Sequence, residues 1–268
     1  MKKIAPIIIL LLHCLDIFCQ DSLTPKKILI IASNVGTVGK NENGTYIEEI
    51  GYPFQYFIDN GYSIDIVTPK GGQAPIYPRE YAGFDLGRIQ RSELFMSKTN
   101  NSISAKDLKD TAYVAVFYPG GYGQFFDVVK DENILLLVAK IYERGGVIGT
   151  TGHGTASLVN IKLSNNNYLV DGKTLTCFPH WAEVPITHWS NYGKLLPFDM
   201  EEALVKKCAN LIPNLKGGKQ GLGLTTIVDD KNRIVTGAFA SDAKLVAEEM
   251  VKLLKITTKY ADTVKKTE

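Results

Sequence analysis

The chain has 268 residues, 45% hydrophobic, 22% charged and 10% aromatic, with ample apolar material for one large domain or two small ones. A formal net charge of +2 supplies no basic surplus for binding nucleic acid. No acidic tail or low-complexity tract is present, so disorder is expected only at the extreme C-terminus.

Lys2 and Lys3 precede an apolar stretch from Ile4 to Leu15, unbroken from Ile7 to Leu12. A charged start and a short apolar middle read as an export signal over residues 1–20, with an uncleaved N-terminal anchor as the alternative. The run falls well short of the roughly 20 apolar residues that a membrane span needs. Ile17-Phe18-Cys19 lacks the small residues of a good cleavage site, and Phe18 rules out a lipobox. Losing residues 1–20 removes Lys2, Lys3 and Asp16, lowers the net charge by one, and leaves Cys177 and Cys208 as the remaining cysteines. Two thiols so far apart make no disulfide framework, although an exported protein could pair them. The expected location is periplasmic or secreted, with no stable membrane span once the signal is gone. The sequons Asn43-Gly44-Thr45 and Asn100-Asn101-Ser102 matter only where the host glycosylates exported proteins.

Ile28 to Ala32 is a continuous apolar run and reads as a buried strand. A Gly- and Asn-rich loop follows, and then Ile47, Ile50, Phe54 and Phe57 recur at helical spacing. Pro53 within that pattern implies a kink or a late helix start. Ser63 to Thr68 reads as the next strand, stopped by Pro69-Lys70-Gly71-Gly72. Gln73 to Lys109 reads as a long loop with a short helix. Ala112 to Tyr118 is a third buried strand, ended by Pro119-Gly120-Gly121, and Ile134 to Tyr142 a helix closed by Gly145-Gly146. Val147 to Thr150 is a short strand entering Gly152-His153-Gly154. Two hairpins are expected, Tyr168 to Thr176 around Asp171-Gly172 and Thr225 to Thr236 around Asp229-Asp230. The last helix opens at Ser241 as N-cap and shows Val246, Met250, Leu253 and Leu254 on one face. The domain spans residues 21–256, and the Lys-rich tail 257–268 is expected to fray. Buried strands alternating with helices argue for an α/β fold with a mainly parallel sheet, whose site lies along one carboxyl edge.

Two nucleotide motifs fail. Gly36-Thr37-Val38-Gly39-Lys40 has Asn34 and Asn41 where a phosphate loop needs Gly and Ser or Thr, and Gly121-Tyr122-Gly123 lacks the third glycine of a dinucleotide fingerprint. No cofactor is implied. Val147-Ile148-Gly149-Thr150-Thr151-Gly152-His153-Gly154-Thr155-Ala156 is more informative. It reads as a strand running through a tight small-residue turn into a helix, either a plain connection or a nucleophile elbow with backbone N–H groups beside the turn residue.

Five runs, in order, carry a resemblance: Thr45-Tyr46-Ile47-Glu48-Glu49 with Pro53, Pro69-Lys70-Gly71-Gly72-Gln73-Ala74-Pro75, Tyr118-Pro119-Gly120-Gly121-Tyr122-Gly123, the elbow, and Val235-Thr236-Gly237. From Lys26 to about Leu254 the chain resembles the ThiJ/PfpI superfamily, of class I glutamine-amidotransferase-like fold, and within it the stress-chaperone and glyoxalase III-like branch. The resemblance implies a flavodoxin-like three-layer sandwich with a nucleophile elbow. It implies a cysteine before His-Gly, where this chain has Gly152, and glycine supplies no thiolate. It maps the carboxylate that poises the thiol to Glu49, the following histidine to His153 and the triad acid to Glu183. Backbone donors near Gly121 and His153 would form the oxyanion site, and Gly120, Gly121, Tyr122 and Gly154 would border the ligand. On residues alone, Glu49 reads equally as a solvated helix-face carboxylate and Glu183 as a loop carboxylate. Tyr122 stands where the family often has histidine, and Ala238-Phe239-Ala240 replaces its usual polar-Asn-Pro run, so altered specificity is expected.

Other groups could replace the thiol. Cys177 could be a relocated nucleophile, but a lone cysteine at a strand end is more often a buried hydrophobe. Thr150 and Thr151 lack an evident base. His180, Glu183 and His188 could hold a divalent metal, but their spacing fits no standard zinc signature, and with Trp181 and Trp189 they read better as an aromatic pocket wall. No metal is expected. Three functions follow: a catalytically impaired binding or stress-protective protein for a small carbonyl or amide compound or for unfolded chains, a hydrolase or lyase using Glu49 and His153 on water, or a thiol enzyme using Cys177. Family members often dimerise, so a homodimer is among the expected assemblies.

Overall fold

The computed structural model describes residues 26–108, 113–183, 195–214 and 225–264. The segment 1–20, Lys109, Ala112, His188, Trp189 and the end of the C-terminal tail lie outside them.

The described residues include thirteen strands and six α-helices. They are β1 (Lys27–Ile31), β2 (Thr37–Val38), β3 (Asn41–Glu42), β4 (Thr45–Tyr46), α1 (Ile47–Asp59), β5 (Ser63–Thr68), β6 (Ile76–Tyr77), α2 (Phe84–Gln90), α3 (Glu93–Asn100), β7 (Ile103–Ser104) and β8 (Tyr113–Tyr118). There follow α4 (Glu132–Glu143), β9 (Val147–Thr151), β10 (Thr174–Leu175), α5 (Met200–Lys206), β11 (Asn210–Leu211), β12 (Thr226–Asp229), β13 (Ile234–Gly237) and α6 (Ala243–Val264). Seven strands form the main sheet in the order β12-β13-β9-β8-β1-β5-β7. All its pairings are parallel except β12 with β13.

Each strand's apolar run is divided between two cores, because successive side chains point to opposite faces. Leu29, Ile31, Val116 and Ile148 face α4, α5 and the turn after β9. Ile28, Ile30, Ala115 and Val147 face α1, α2, α3 and α6. The result is the flavodoxin-like three-layer α/β sandwich implied by the sequence. Gly149 in β9 lets α6 pack close against the sheet, since a Cβ there would run into Met250 Sδ on α6. The strand order reverses between β1 and β8, and the crevice beyond their carboxyl ends is where doubly wound sheets bind ligands.

Several expectations need correction. Gln73–Lys109 is no long loop: it holds α2, α3 and the edge strand β7, and Ser92 caps α3 by accepting from the Phe95 N–H at 3.4 Å. The 168–176 segment is not a hairpin, since β10 pairs in parallel with β11; the 226–237 hairpin is present. Ser241 lies inside a 3-10 turn (Ala240–Asp242) that precedes α6, and Asp242 accepts from the Phe239 N–H at 2.9 Å. The backbone of α6 is helical as far as Val264. Pro53 sits within α1, which starts at Ile47 without delay. Asn43 is buried and donates to the Val35 carbonyl at 3.0 Å, so its sequon is closed in the folded chain, whereas Asn100 is exposed.

Candidate functional site

Two chain turns converge at the carboxyl edge. After β8, Pro119-Gly120-Gly121 turns into a 3-10 helix (Tyr122–Phe125). Gly121 has φ +122°, and a Cβ on it would meet the Gly44 carbonyl. The place of a Cβ on Gly120 is taken by the Glu49 carboxylate. These two glycines therefore let β4 and α1 approach the end of β8, an approach fixed by the Tyr46 N–H donating to Gly120 O at 3.2 Å.

After β9 the chain enters a second 3-10 helix (Gly152–Leu158). Gly152 has φ +51° in the left-handed region, so the strand-to-helix corner is sharp. Its missing Cβ would fall on Glu49 Oε1, with the Glu49 Cδ at 3.3 Å.

The buried Gln124 side chain ties these turns together. Its Nε2 donates to Ile31 O at 3.1 Å and Pro119 O at 3.0 Å, and its Oε1 accepts from Ser157 Oγ at 2.7 Å. One amide thus joins the ends of β1 and β8 to the helix after the elbow. Gln124→Leu, which leaves those partners buried and unsatisfied, is expected to destabilise the protein by about 2–3 kcal/mol, read as a lowered denaturation midpoint at unchanged m-value.

Glu49 lies in the first turn of α1 but is only 4% exposed, so it is not a solvated helix-face group. Burial pushes its carboxyl up to about 7, against the opposing influences of His153, the Thr151 hydroxyl and the Gly120 N–H. Oε1 and the Thr151 hydroxyl are both buried and neither completes a hydrogen bond of good geometry. A carboxyl poised near neutrality with an unsatisfied oxygen can accept or release a proton at physiological pH.

His153 follows Gly152 directly. Its Nε2 lies 2.7 Å from Glu183 Oε2, while Tyr122 donates its hydroxyl to Glu183 Oε1 at 2.8 Å. The Tyr122 ring stacks on the imidazole at 4.5 Å, and Phe178 and Phe125 approach it at 4.7 and 5.7 Å. Glu49, Gly120, Gly121, Tyr122, Gly152, His153, Gly154 and Glu183, all singled out in the sequence, therefore meet at one corner. Gly154 packs against the Tyr118 and Pro119 carbonyls. Gln124, Ser157, Phe125 and the Phe178 contact escaped sequence reasoning, because their partners are distant in the chain.

The remaining candidates separate. Cys177 is 2% exposed within the α4-side core, and burial pushes its thiol well above the usual range, which argues against a relocated nucleophile. Cys208 is a free, exposed thiol. His180 Nδ1 pairs with Asp199 while Glu183 turns to His153, so these two side chains do not converge. No group of three or more His, Cys, Asp or Glu suited to a metal occurs among the described residues. The Trp181 indole donates to Asn214 O at 2.5 Å, and Phe239 bridges Trp181 and Phe178 in an aromatic wall. Thr150 and Thr155 hydroxyls bond each other at 2.7 Å in the interior.

Comparison with known proteins identifies relatives of this fold. A family model described as the DJ-1/PfpI family matches residues 42–253. The probable glutathione-independent glyoxalase SNO4 of Saccharomyces cerevisiae is 29% identical over 180 residues, covering 61% of this chain and 73% of its own. The glutathione-independent glyoxalase hsp3102 of Schizosaccharomyces pombe is 26% identical over 240 residues, covering 81% and 90%. The crystal structure of glyoxalase III from Candida albicans superposes with a TM-score of 0.72 at 24% identity, covering 85% of this chain and 96% of that one.

Proposed function

Because this chain belongs to the DJ-1/PfpI family, we propose that it is a glyoxalase III-like member that binds small carbonyl compounds and has lost the covalent thiol step. One observation carries this reading: the residue at the elbow is Gly152, and the Glu49 carboxylate fills the space where a side chain would begin. Attack on an aldehyde through sulfur needs a thiolate at that corner. What remains is an imidazole bonded to a carboxylate, a second carboxyl poised near neutrality, and a helix start whose N–H groups favour developing negative charge.

A second reading is favoured by the pKa of about 7 at Glu49 and its unsatisfied Oε1. Water adds to the aldehyde of methylglyoxal to give the hydrate. Glu49 then takes the proton from that carbon and returns it to the neighbouring keto carbon, while one hydroxyl proton of the hydrate passes to the keto oxygen, giving lactic acid with no external oxidant or reductant. Incubating the protein with methylglyoxal and following D-lactate, with and without a thiol-blocking reagent, separates the readings. The main reading expects saturable binding with turnover at least about a thousandfold below that of a thiol-competent relative. Turnover insensitive to the reagent supports the water route, and thiol-sensitive turnover overturns both. The Lys2-Lys3 start and the Ile7–Leu12 run support export of the protein as part of this proposal.

A further inference from the structure

We propose that Tyr122 is a positioning residue that holds the Glu183–His153 pair in one orientation and fixes which imidazole nitrogen carries the proton. It grips the pair in two ways. Its hydroxyl donates to Glu183 Oε1 at 2.8 Å, leaving Oε2 for His153 Nε2 at 2.7 Å. Its ring lies on the imidazole at a centroid distance of 4.5 Å and an interplanar angle of 30°. A single side chain thus restrains both partners of one hydrogen bond.

The backbone explains why this position can do so. Gly121, at φ +122°, starts the 3-10 turn Tyr122–Phe125. Residues three apart eclipse in such a turn, so Tyr122 and Phe125 project together toward His153, as their ring contacts confirm. Glu183 needs the restraint. The Ala182 and Glu183 N–H groups both bond Pro179 O, and a glutamate side chain has considerable rotamer freedom to lose. A second anchor on its carboxylate removes that freedom before the imidazole is engaged.

The consequence concerns tautomer. A carboxylate is an acceptor, so Nε2 carries the proton and Nδ1 is left as the acceptor. The ring cage of Tyr122, Phe125 and Phe178 shields the Nε2–Glu183 bond, whose side chains are 10% and 14% exposed. This assignment holds whether or not the site turns over a carbonyl compound.

Long-range proton–nitrogen NMR on the 15N-labelled protein, with His153 assigned through His153→Gln, tests it. The expected wild-type signature is an Nε2-protonated ring with a downfield proton protected from water. Tyr122→Phe keeps the ring but removes the donor. It should accelerate exchange of that proton by about tenfold or more, the equivalent of one hydrogen bond to a charged group, while circular dichroism stays unchanged. A folded Tyr122→Phe protein with the wild-type exchange rate and tautomer overturns the proposal. So does a wild-type His153 protonated at Nδ1 alone. Uniform fluorotyrosine labelling makes the phenol a stronger donor with little change of shape. It should shift the Nε2–H resonance even if Tyr122→Phe fails to fold, and an unmoved resonance counts against the role.

Discussion

Glu49→Gln is expected to stabilise the protein at pH 8 by about 3 kcal/mol and to flatten its stability between pH 4.5 and 8. The ordinary carboxyl value is 4.5, and burial raises Glu49 to about 7 in the folded chain. Between those values the folded state keeps a proton that the unfolded state has lost. Stability from this group is therefore complete below pH 4.5 and is lost as pH rises through 7. At about 1.4 kcal/mol per pKa unit, the gap corresponds to about 3 kcal/mol. Glutamine keeps the shape and removes the charge, so it escapes the loss. Denaturant unfolding of both proteins at several pH values reads this as a difference, in which other titrating groups such as Asp127 cancel. Parallel stability curves for the two proteins would show that Glu49 ionises normally. The same substitution should abolish any water-based turnover. A carboxyl that weakens the fold at neutral pH is the kind of stability–function conflict found at working sites.

The sheet was legible because parallel strands covered on both faces must be apolar throughout, as in Ile28–Ile31 and Val147–Ile148. The amphipathic faces of α1, α4 and α6 were equally plain. The α2–α3 region was not, since Leu86, Ile89 and Phe95 are its few buried apolar side chains and neither helix shows a sustained apolar stripe. Residues 168–176 carry an Asp-Gly turn signal, but β10 finds its partner 36 residues away in β11, which no local pattern records. At the site, turn chemistry located Gly121, Gly152 and His153, while Glu49 and Glu183 needed the family resemblance. Tyr122 departs from the family pattern. Its hold on Glu183 depends on a partner 61 residues distant, and the Gln124 lock reaches Ile31 across 93 residues and Ser157 across 33. Contacts of that range follow from the assembled sheet edge.

Gly152→Cys should trade stability for a thiol-dependent reaction. Residue 152 sits at φ +51°, where a residue with a side chain is strained by about 1–3 kcal/mol. The new Cβ lands on Glu49 Oε1, but that atom is the end of a flexible side chain, so the carboxyl can rotate aside while the backbone holds. The sulfur would then stand beside Glu49 and His153 at the start of the 3-10 helix, where the imidazole can take the thiol proton and backbone N–H groups favour thiolate. Since removing a nucleophile from an assembled triad costs several orders of magnitude, restoring one is expected to raise methylglyoxal turnover by at least about a hundredfold. The gain should vanish with a thiol-blocking reagent and survive Cys177→Ser, because Cys177 is buried in the core. Adding Tyr122→Phe should reduce the gain without preventing labelling of Cys at 152, as expected if the phenol keeps His153 oriented. A folded, fully labelled Gly152→Cys protein that turns over no faster than its parent would mean that the carboxylate, imidazole and backbone donors at this corner are not arranged for carbonyl attack. The reading of the site as a thiol enzyme lacking only its sulfur would then fail.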